Sequence, residues 1–143
     1  MAQIRKCVPA DFTQVAALLV QLWPNKVQNL GKLRNAFDRA LASTTQRYVC
    51  AVENGEVVGF ASLSQKSSLW QEALLANVDE LVVADAHRGQ GVGGALLDFV
   101  IDIARKTGCS RVELDSAFHR TDAHEFYERR GFEKRAFLFT MEL

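Results

Sequence analysis

Apolar residues recur every three or four positions in several stretches of the chain, which is the spacing of one face of an α-helix. The pattern predicts four helices, over residues 9–23, 30–41, 92–106 and 122–130. Pro24 ends the first of these stretches, because proline cannot continue a helix. Gly108 and Gly131 follow the last two, where glycine is the preferred C-terminal cap.

Between these helices, apolar residues cluster or alternate as they do in strands. Strands are expected over residues 4–8, 48–52, 57–60, 74–84, 111–115 and 137–141. Asn54-Gly55 separates the second and third, and this dipeptide is the strongest short signal for a β-hairpin. Hairpins come first and a single β-α-β unit follows, so the order predicts a mixed sheet in an α/β (α+β) fold. We expect residues 1–143 to form one domain.

Length and composition limit the class of protein. A chain of 143 residues can bury one sizeable core, and 48% hydrophobic with 24% charged residues is typical of a globular domain. The 17 basic residues equal the 17 acidic ones, so no net positive field attracts nucleic acid. No signal peptide or run of about 18 apolar residues is present. We expect a cytoplasmic protein with neither nucleic acid nor a membrane as partner.

The cysteines do not indicate a metal centre. Cys7, Cys50 and Cys109 share neither a CxxC spacing nor a metal-ligand spacing. We interpret them as core thiols and expect no metal. Nothing places them in an electropositive, reactive setting, which disfavours a nucleophilic role for any of them.

Residues 88–94, Arg-Gly-Gln-Gly-Val-Gly-Gly, lie between a predicted strand and a strongly amphipathic helix. A helix N-terminus offers free N–H groups, and glycines let an anion approach them, so this run predicts a phosphate cradle. Gly89, Gly91 and Gly94 also satisfy the GxGxxG pattern of dinucleotide folds, although five residues separate them from the strand. A P-loop is excluded, since no Gly-Lys-Ser/Thr is present.

Two motifs carry a family resemblance. Residues 88–93 fit the pattern Q/R-x-x-G-x-G/A, and residues 122–132 place Phe-Tyr before Gly-Phe on a helix. With both, the chain resembles the GNAT superfamily of N-acetyltransferases over nearly its whole length. Residues 47–143 resemble the aminoalkylphosphonate N-acetyltransferases, and residues 21–24 resemble some aminoglycoside N-acetyltransferases. Many members carry Asn where this chain has Arg120. The resemblance therefore implies a coenzyme contact there that differs from that of those members.

The resemblance implies a GNAT-like, mostly antiparallel sheet flanked by about four helices, with acetyl-CoA as acetyl donor to a small primary amine. A homodimer is compatible with it. The pyrophosphate is expected on the N–H groups of residues 90–94, and the pantetheine arm along residues 81–83. The implied coenzyme-binding residues are Leu81, Val82, Val83, Arg88, Gly89, Gln90, Gly91, Val92, Gly93, Gly94 and Arg120.

The acceptor amine must lose a proton, because an alkyl ammonium has a pKa of about 10.4. Glu80 is the favoured base, with Asp79 and Asp115 behind it. The period of two places Asp79 and Glu80 on opposite faces of a strand, and Asp115 ends the neighbouring strand. Asn77 stands where related enzymes often carry a carboxylate. It therefore leaves open a coenzyme A-binding sensor that does not turn over.

Tyr127 matches the tyrosine that serves as general acid in many relatives. It also shares an apolar helix face, so its pattern alone fits a core residue equally well. His119 and His124 are alternative proton relays, although their spacing is typical of surface residues.

The chemistry of the acceptor is predicted from charge. Residues 23–47, one of the segments with which the superfamily usually holds the acceptor, contain a single acid, Asp38, and five cations: Lys26, Lys32, Arg34, Arg39 and Arg47. The other such segment, residues 64–72, adds Lys66 and Glu72. A basic balance favours an amine that carries a phosphonate or carboxylate over a polycationic aminoglycoside. Solvated faces of two helices would produce the same balance.

Overall fold

The computed structural model describes all 143 residues, in two compact units, Met1–Glu113 and Leu114–Leu143. The first unit contains, in chain order, β1 (Gln3–Lys6), α1 (Phe12–Leu22), α2 (Leu30–Ala42), β2 (Gln46–Glu53), β3 (Glu56–Ser68), β4 (Ala73–Val83), α3 (Val92–Lys106) and β5 (Cys109–Glu113). The second unit contains α4 (Thr121–Arg129). The predicted fold class is confirmed, whereas a single domain over the whole chain stays a prediction. No helix combines the length and apolar character needed to cross a bilayer.

The five strands form one sheet in the order β1-β2-β3-β4-β5. Neighbours from β1 to β4 are antiparallel, and only β4 and β5 are parallel. One parallel pair does not make the doubly wound sheet of a dinucleotide fold, so a dinucleotide-binding oxidoreductase, the alternative function that the GxGxxG match would suggest, is wrong. Asn54 and Gly55 both adopt positive φ, 52° and 77°, as the predicted hairpin requires.

The core on one face of the sheet lies beneath α1 and α2. It is a continuous cluster of buried residues that includes Phe12, Val15, Leu18, Leu19, Phe37, Cys50, Phe60 and Val82. Aromatic rings connect the helices to the strands in sequence, with centroid separations of 5.6 Å for Phe12–Phe37, 5.6 Å for Phe37–Tyr48 and 5.3 Å for Tyr48–Phe60. These rings bind the two helices to the centre of the sheet.

Helix α3 packs on the opposite face, and Gly59 of β3 allows its close approach. A β-carbon on Gly59 would lie 2.8 Å from Leu96 Cδ1 and 3.2 Å from Val92 Cγ1. Both of these side chains are buried. A larger residue at position 59 would therefore push α3, and the glycine-rich turn at its N-terminus, away from the sheet.

The start of α1 is held by an ion pair between the buried Asp11 and the half-buried Arg5. Asp11 accepts hydrogen bonds from Arg5 Nη1 at 2.8 Å and Nη2 at 3.0 Å, and from the N–H of Val8 at 2.8 Å. The hydrogen bonds from Arg5 hold the pKa of the Asp11 carboxyl below its usual range. The pair links β1 to the first turn of α1.

Two expected strands differ in the structure. β5 ends at Glu113, where its pairing with β4 ends, and Asp115 lies beyond it in the second unit. Residues 137–141 form no strand, and Phe137, Phe139 and Met141 are largely exposed. A strand needs a partner for its backbone groups, whereas alternation specifies only which side chains share a face.

Candidate active site

The edge of β4 is open over its second half. Pairing between β4 and β5 runs only from Leu74 to Asn77, so residues 78–83 have a strand neighbour on the β3 side alone. The N–H of Ala84 donates to Val58 O across that pair. By the alternation of an antiparallel ladder, the N–H and C=O groups of Leu81 and Val83 point to the open side. An extended ligand with amide groups can pair with them.

Val82 differs from its two neighbours. Its backbone groups face Phe60 of β3, and its side chain is buried in the core beneath α1 and α2. Of the three residues expected along the pantetheine arm, Val82 therefore supports the edge from behind, while Leu81 and Val83 offer it hydrogen-bonding groups.

The glycine-rich turn follows this edge directly. Gly89 and Gly91 have φ of 78° and 83°, a region that favours glycine, and Gly91 is the N-cap of α3. No side chain caps the helix, so the first N–H groups of α3 lack a side-chain partner. A β-carbon on Gly89 or Gly91 would meet no atom within 4 Å. The backbone is therefore exposed to open space, and it fits the pyrophosphate of acetyl-CoA.

Arg88 ties the turn to the end of β4. Its Nε donates to Val83 O at 3.4 Å, and its Nη2 lies 3.1 Å from Asp85 Oδ1. The guanidinium is exposed. A bound anion would compete with Asp85 for it. Gln90 is also exposed, whereas Gly94 is buried and Gly93 lies beside Val83.

Glu80 is a half-buried carboxylate on β4. The Oε1 atom of Glu80 accepts a hydrogen bond of 2.7 Å from Ser62 Oγ. The backbone N–H of Glu80 in turn donates to Ser62 Oγ at 2.9 Å. No protein donor contacts Oε2. Burial raises the pKa of Glu80, and the hydrogen bond from Ser62 opposes this rise. Glu80 is therefore a carboxylate with one oxygen free to accept a proton.

A β-bulge brings Asp79 to the same face as Glu80, which corrects the expectation of opposite faces. Ser62 pairs with Glu80 and Leu63 with Val78, so Asp79 is an extra residue in β4. Ser64, two positions from Ser62 and on the same face of β3, donates to Asp79 Oδ1 at 3.1 Å. The inserted residue cancels the alternation, and the two carboxylates become neighbours.

Asp79 is nevertheless in a different environment from Glu80. It is exposed, and its Oδ1 also accepts a hydrogen bond of 2.7 Å from Asn77 Nδ2. Asn77 thus orients the exposed carboxylate, a role that its amide can fill although it cannot itself act as a base.

Glu80 also lines a small cavity of about 50 Å³ beneath α1 and α2. The remaining walls are almost entirely apolar and aromatic, and include Phe12, Trp23, Phe37, Tyr48 and Phe60. Burial, together with the charges of Glu80 and Asp79, raises the pKa of Tyr48 to about 12. An acceptor group that enters this cavity meets one carboxylate among aromatic rings.

Ser62 and Tyr48 are site residues that the sequence patterns did not indicate. Both lie next to buried apolar residues of their strands, and Ser62 is fully buried. The sequence feature that could have identified Ser62 is a hydroxyl within a run of apolar residues, because a buried hydroxyl normally has a hydrogen-bond partner. The partner could be known only from the pairing of β3 with β4.

The second unit contains the remaining predicted residues. Tyr127 packs against Phe126 and Phe132, with ring centroids 5.4 Å and 5.8 Å apart, and burial raises the pKa of its hydroxyl. Arg120 and Asp115 are exposed and close enough to influence this pKa in opposite directions.

The histidines of this unit differ in their surroundings. His119 is exposed, whereas a ring nitrogen of His124 lies 2.9 Å from the carbonyl oxygen of Ala117. This contact ties His124 to the loop before α4.

Cys7, Asp11 and Cys50 are buried together, with candidate ligand atoms within 4.8 Å of one another. Asp11 is already held at both oxygens by the guanidinium of Arg5, so the group is an ion pair with two core thiols. Cys7 and Cys50 are buried as predicted, whereas Cys109 is half-buried.

Comparison with known proteins agrees with this geometry. Residues 12–132 match the model of the acetyltransferase (GNAT) family. The chain is 34% identical over 143 residues to an aminoalkylphosphonate N-acetyltransferase of Salmonella typhimurium, covering 100% of this chain and 92% of that protein. It is 29% identical over 145 residues to an aminoglycoside N(6')-acetyltransferase of Stenotrophomonas maltophilia, covering 98% and 93%.

Among solved structures, an aminoglycoside N-acetyltransferase in complex with CoA superposes with a TM-score of 0.86 at 19% identity. The alignment covers 100% of this chain and 95% of that chain, and at this identity it speaks for the fold.

Proposed function

The chain belongs to the acetyltransferase (GNAT) family and is an acyltransferase with acetyl-CoA as donor, and we propose that its acceptor is a small primary amine carrying an acidic group. One juxtaposition supports acetyl transfer to an amine at this site, and the cations described below support the acidic group. On a single strand, β4, the Glu80 carboxylate is followed by an open edge, and that edge leads into the glycine-rich turn. Donor-binding groups and a proton acceptor are thus arranged along one line.

The donor supplies an acetyl group activated as a thioester. Residues 90–94 would hold its pyrophosphate through backbone N–H groups at the positive end of α3, and Arg88 would add a charge-assisted contact. The outward N–H and C=O groups of Leu81 and Val83 would pair with the amides of the pantetheine arm. Arg120 stays a proposed contact from the family resemblance.

Glu80 is the proposed base. Its free Oε2 can accept the proton of the acceptor ammonium. Because burial raises the pKa of Glu80, this pKa lies closer to the pKa of the amine than that of an ordinary carboxylate does. Asp79 ranks second because it is exposed and already accepts two hydrogen bonds. Asp115 ranks third, since it belongs to the loop after β5 rather than to the strand.

Tyr127 is the proposed acid, which returns a proton to the departing sulfur. The proposal rests on the family resemblance. A tyrosine hydroxyl has an ordinary pKa of about 10 and is therefore protonated at neutral pH, and burial raises the pKa of Tyr127 further. His119 and His124 have no part in it.

Cations support an acidic group on the acceptor. In the 23–47 segment, Arg34 is paired with Asp38 at 3.2 Å, and Arg47 donates to the carbonyl of Thr44 at 2.7 Å. Lys26 has no carboxylate partner and lies over the ring of Trp23, a residue of the cavity wall. The relative from Salmonella typhimurium is named for an aminoalkylphosphonate. The phosphonate group of such a molecule is anionic and is attracted by lysine and arginine side chains.

A comparison of kcat/KM for an aminoalkylphosphonate and a kanamycin-type aminoglycoside tests the proposed acceptor. Coenzyme A release is measured in one buffer at two salt concentrations. The phosphonate should be preferred by tenfold or more, and its advantage should shrink at high salt because screening weakens the attraction. A tenfold preference for the aminoglycoside, about 1.4 kcal/mol in transition-state binding, would contradict the proposal.

A further inference from the structure

Lys26 lies in the connection between α1 and α2, beside the wall of the aromatic cavity. Its N–H donates to Trp23 O at 3.1 Å, and its Nζ lies 5.2 Å from the centroid of the Trp23 ring. The side chain is exposed and has no carboxylate within ion-pair distance. Its charge is therefore oriented by an aromatic face and is available to an anion.

Trp23 connects this cation to the proposed base. Its ring lines the same cavity as Glu80. Burial raises the pKa of Glu80, and the positive charge of Lys26 is among the influences that lower it. Lys26 therefore lies over a residue that shares a cavity with Glu80, and the two charges influence each other.

We propose that Lys26 is the residue that selects the acidic group of the acceptor, binding the phosphonate or carboxylate while Glu80 receives the amine. The inference rests on the proposed function and adds a specificity residue to it. An ammonium group has three donors and no acceptor, so it attracts an anion and repels a second cation. A short amine that also carries an acidic group can place its ammonium against Glu80 and its anionic group against Lys26. A polycationic acceptor would place a like charge against Lys26.

Lys32 provides a matched control for this role. It is exposed, lacks a carboxylate partner and lies on the adjacent helix, but it contacts no aromatic ring. If only the total positive charge near the site mattered, removing either lysine would lower activity on an anionic acceptor by the same factor. A specific contact would affect only Lys26.

The experiment compares Lys26→Gln and Lys32→Gln with the parent on two acceptors, an aminoalkylphosphonate and the aminoalkanol of the same chain length. The ratio of kcat/KM for the phosphonate to that for the alkanol should fall at least tenfold in Lys26→Gln and stay within about twofold in Lys32→Gln, since a charge-assisted contact is lost only in the first. An unchanged ratio in Lys26→Gln, or an equal fall in both variants, would overturn the assignment.

A binding measurement distinguishes failure of the proposed acceptor reaction from failure of the Lys26 assignment. If the parent acetylates neither acceptor, titration calorimetry of the aminoalkylphosphonate against parent and Lys26→Gln decides the matter. A Kd at least tenfold weaker in the variant keeps Lys26 as the anion contact while the proposed acceptor reaction fails. Equal Kd values, or no binding by the parent, overturn the anion contact itself.

Discussion

Ser62 Oγ lies 2.7 Å from Glu80 Oε1 and accepts the N–H of the same glutamate at 2.9 Å. The single hydroxyl hydrogen is thereby directed to the carboxylate. Because Ser62 is fully buried in the middle of the sheet, it fixes the orientation of the Glu80 side chain and favours its ionised form. Ser62 is a positioning residue for the proposed base.

Removal of this hydroxyl should change the pH dependence of the reaction. A base loses activity as the pH falls through its pKa, and Ser62→Ala removes a hydrogen bond that lowers the pKa of Glu80. The acidic limb of the kcat/KM profile should therefore move to higher pH. Steady-state assays across pH measure this shift.

Ser64→Ala is the matched control, since Ser64 donates to Asp79 instead. It should leave the acidic limb in place. A limb that moves in Ser64→Ala and not in Ser62→Ala would transfer the role of base from Glu80 to Asp79.

Glu80→Gln should lower activity and raise stability together. Loss of a general base costs about 10²-fold or more in kcat/KM. Folding raises the pKa of Glu80, so its favourable contribution is complete below the unfolded pKa and is lost as the pH rises through the folded pKa. The gain in Tm over the parent should therefore be larger at pH 8 than at pH 5. Asp79→Asn, at the exposed carboxylate, should show no such gain.

The positions of the helices, the hairpin and the glycine-rich turn could be predicted because local spacing determines them. Asn54-Gly55 and Gly91 adopt the backbone conformations that their residue types favour. The faces of Asp79 and Glu80 could not be predicted, because a bulge depends on the register with β3 and leaves no mark in the alternation of one strand.

The same limit applies to residues 137–141. Their alternation states which side chains share a face, but a ladder partner is a property of the whole fold. Ser62 could not be predicted for a related reason, since its hydrogen-bond partner, Glu80, lies in the neighbouring strand.

Gly91→Ala should reduce acetyl-CoA affinity at least tenfold. A methyl group at this position would occupy the open space over the backbone N–H groups. Gly55→Ala, in the turn between β2 and β3 and outside the glycine-rich turn, is the control, because Gly55 has a similar positive φ and equally open surroundings. Each variant should lose about 1 kcal/mol of stability from left-handed strain. Titration calorimetry should show a loss of affinity in Gly91→Ala alone; equal affinities in the two variants would contradict the cradle.

Arg5→Met should destabilise the fold by about 2–3 kcal/mol at pH 7, because Asp11 is then left buried without its charged donor. Folding lowers the pKa of Asp11, so the stability from this pair is present above the unfolded pKa and is lost as the pH falls through the folded one. The difference from the parent should shrink in acid, as followed by urea unfolding. Lys106→Met, which removes an exposed pair with Asp102, should cause no measurable loss.

Tyr127→Phe should lower kcat by about 10²-fold or more and leave acetyl-CoA affinity unchanged, because the ring contacts with Phe126 and Phe132 survive and only the proton donor is lost. The chain has two tyrosines, and Tyr48→Phe is the control. Tyr48 also has a raised pKa, but it lines the cavity beside Glu80, so its loss should affect KM for the acceptor while kcat stays within about twofold. Steady-state assays of coenzyme A release give kcat, and titration calorimetry gives the Kd for acetyl-CoA. If kcat falls in Tyr48→Phe and not in Tyr127→Phe, the acid is Tyr48, and the first unit alone then contains the proposed acid, base and donor-binding groups.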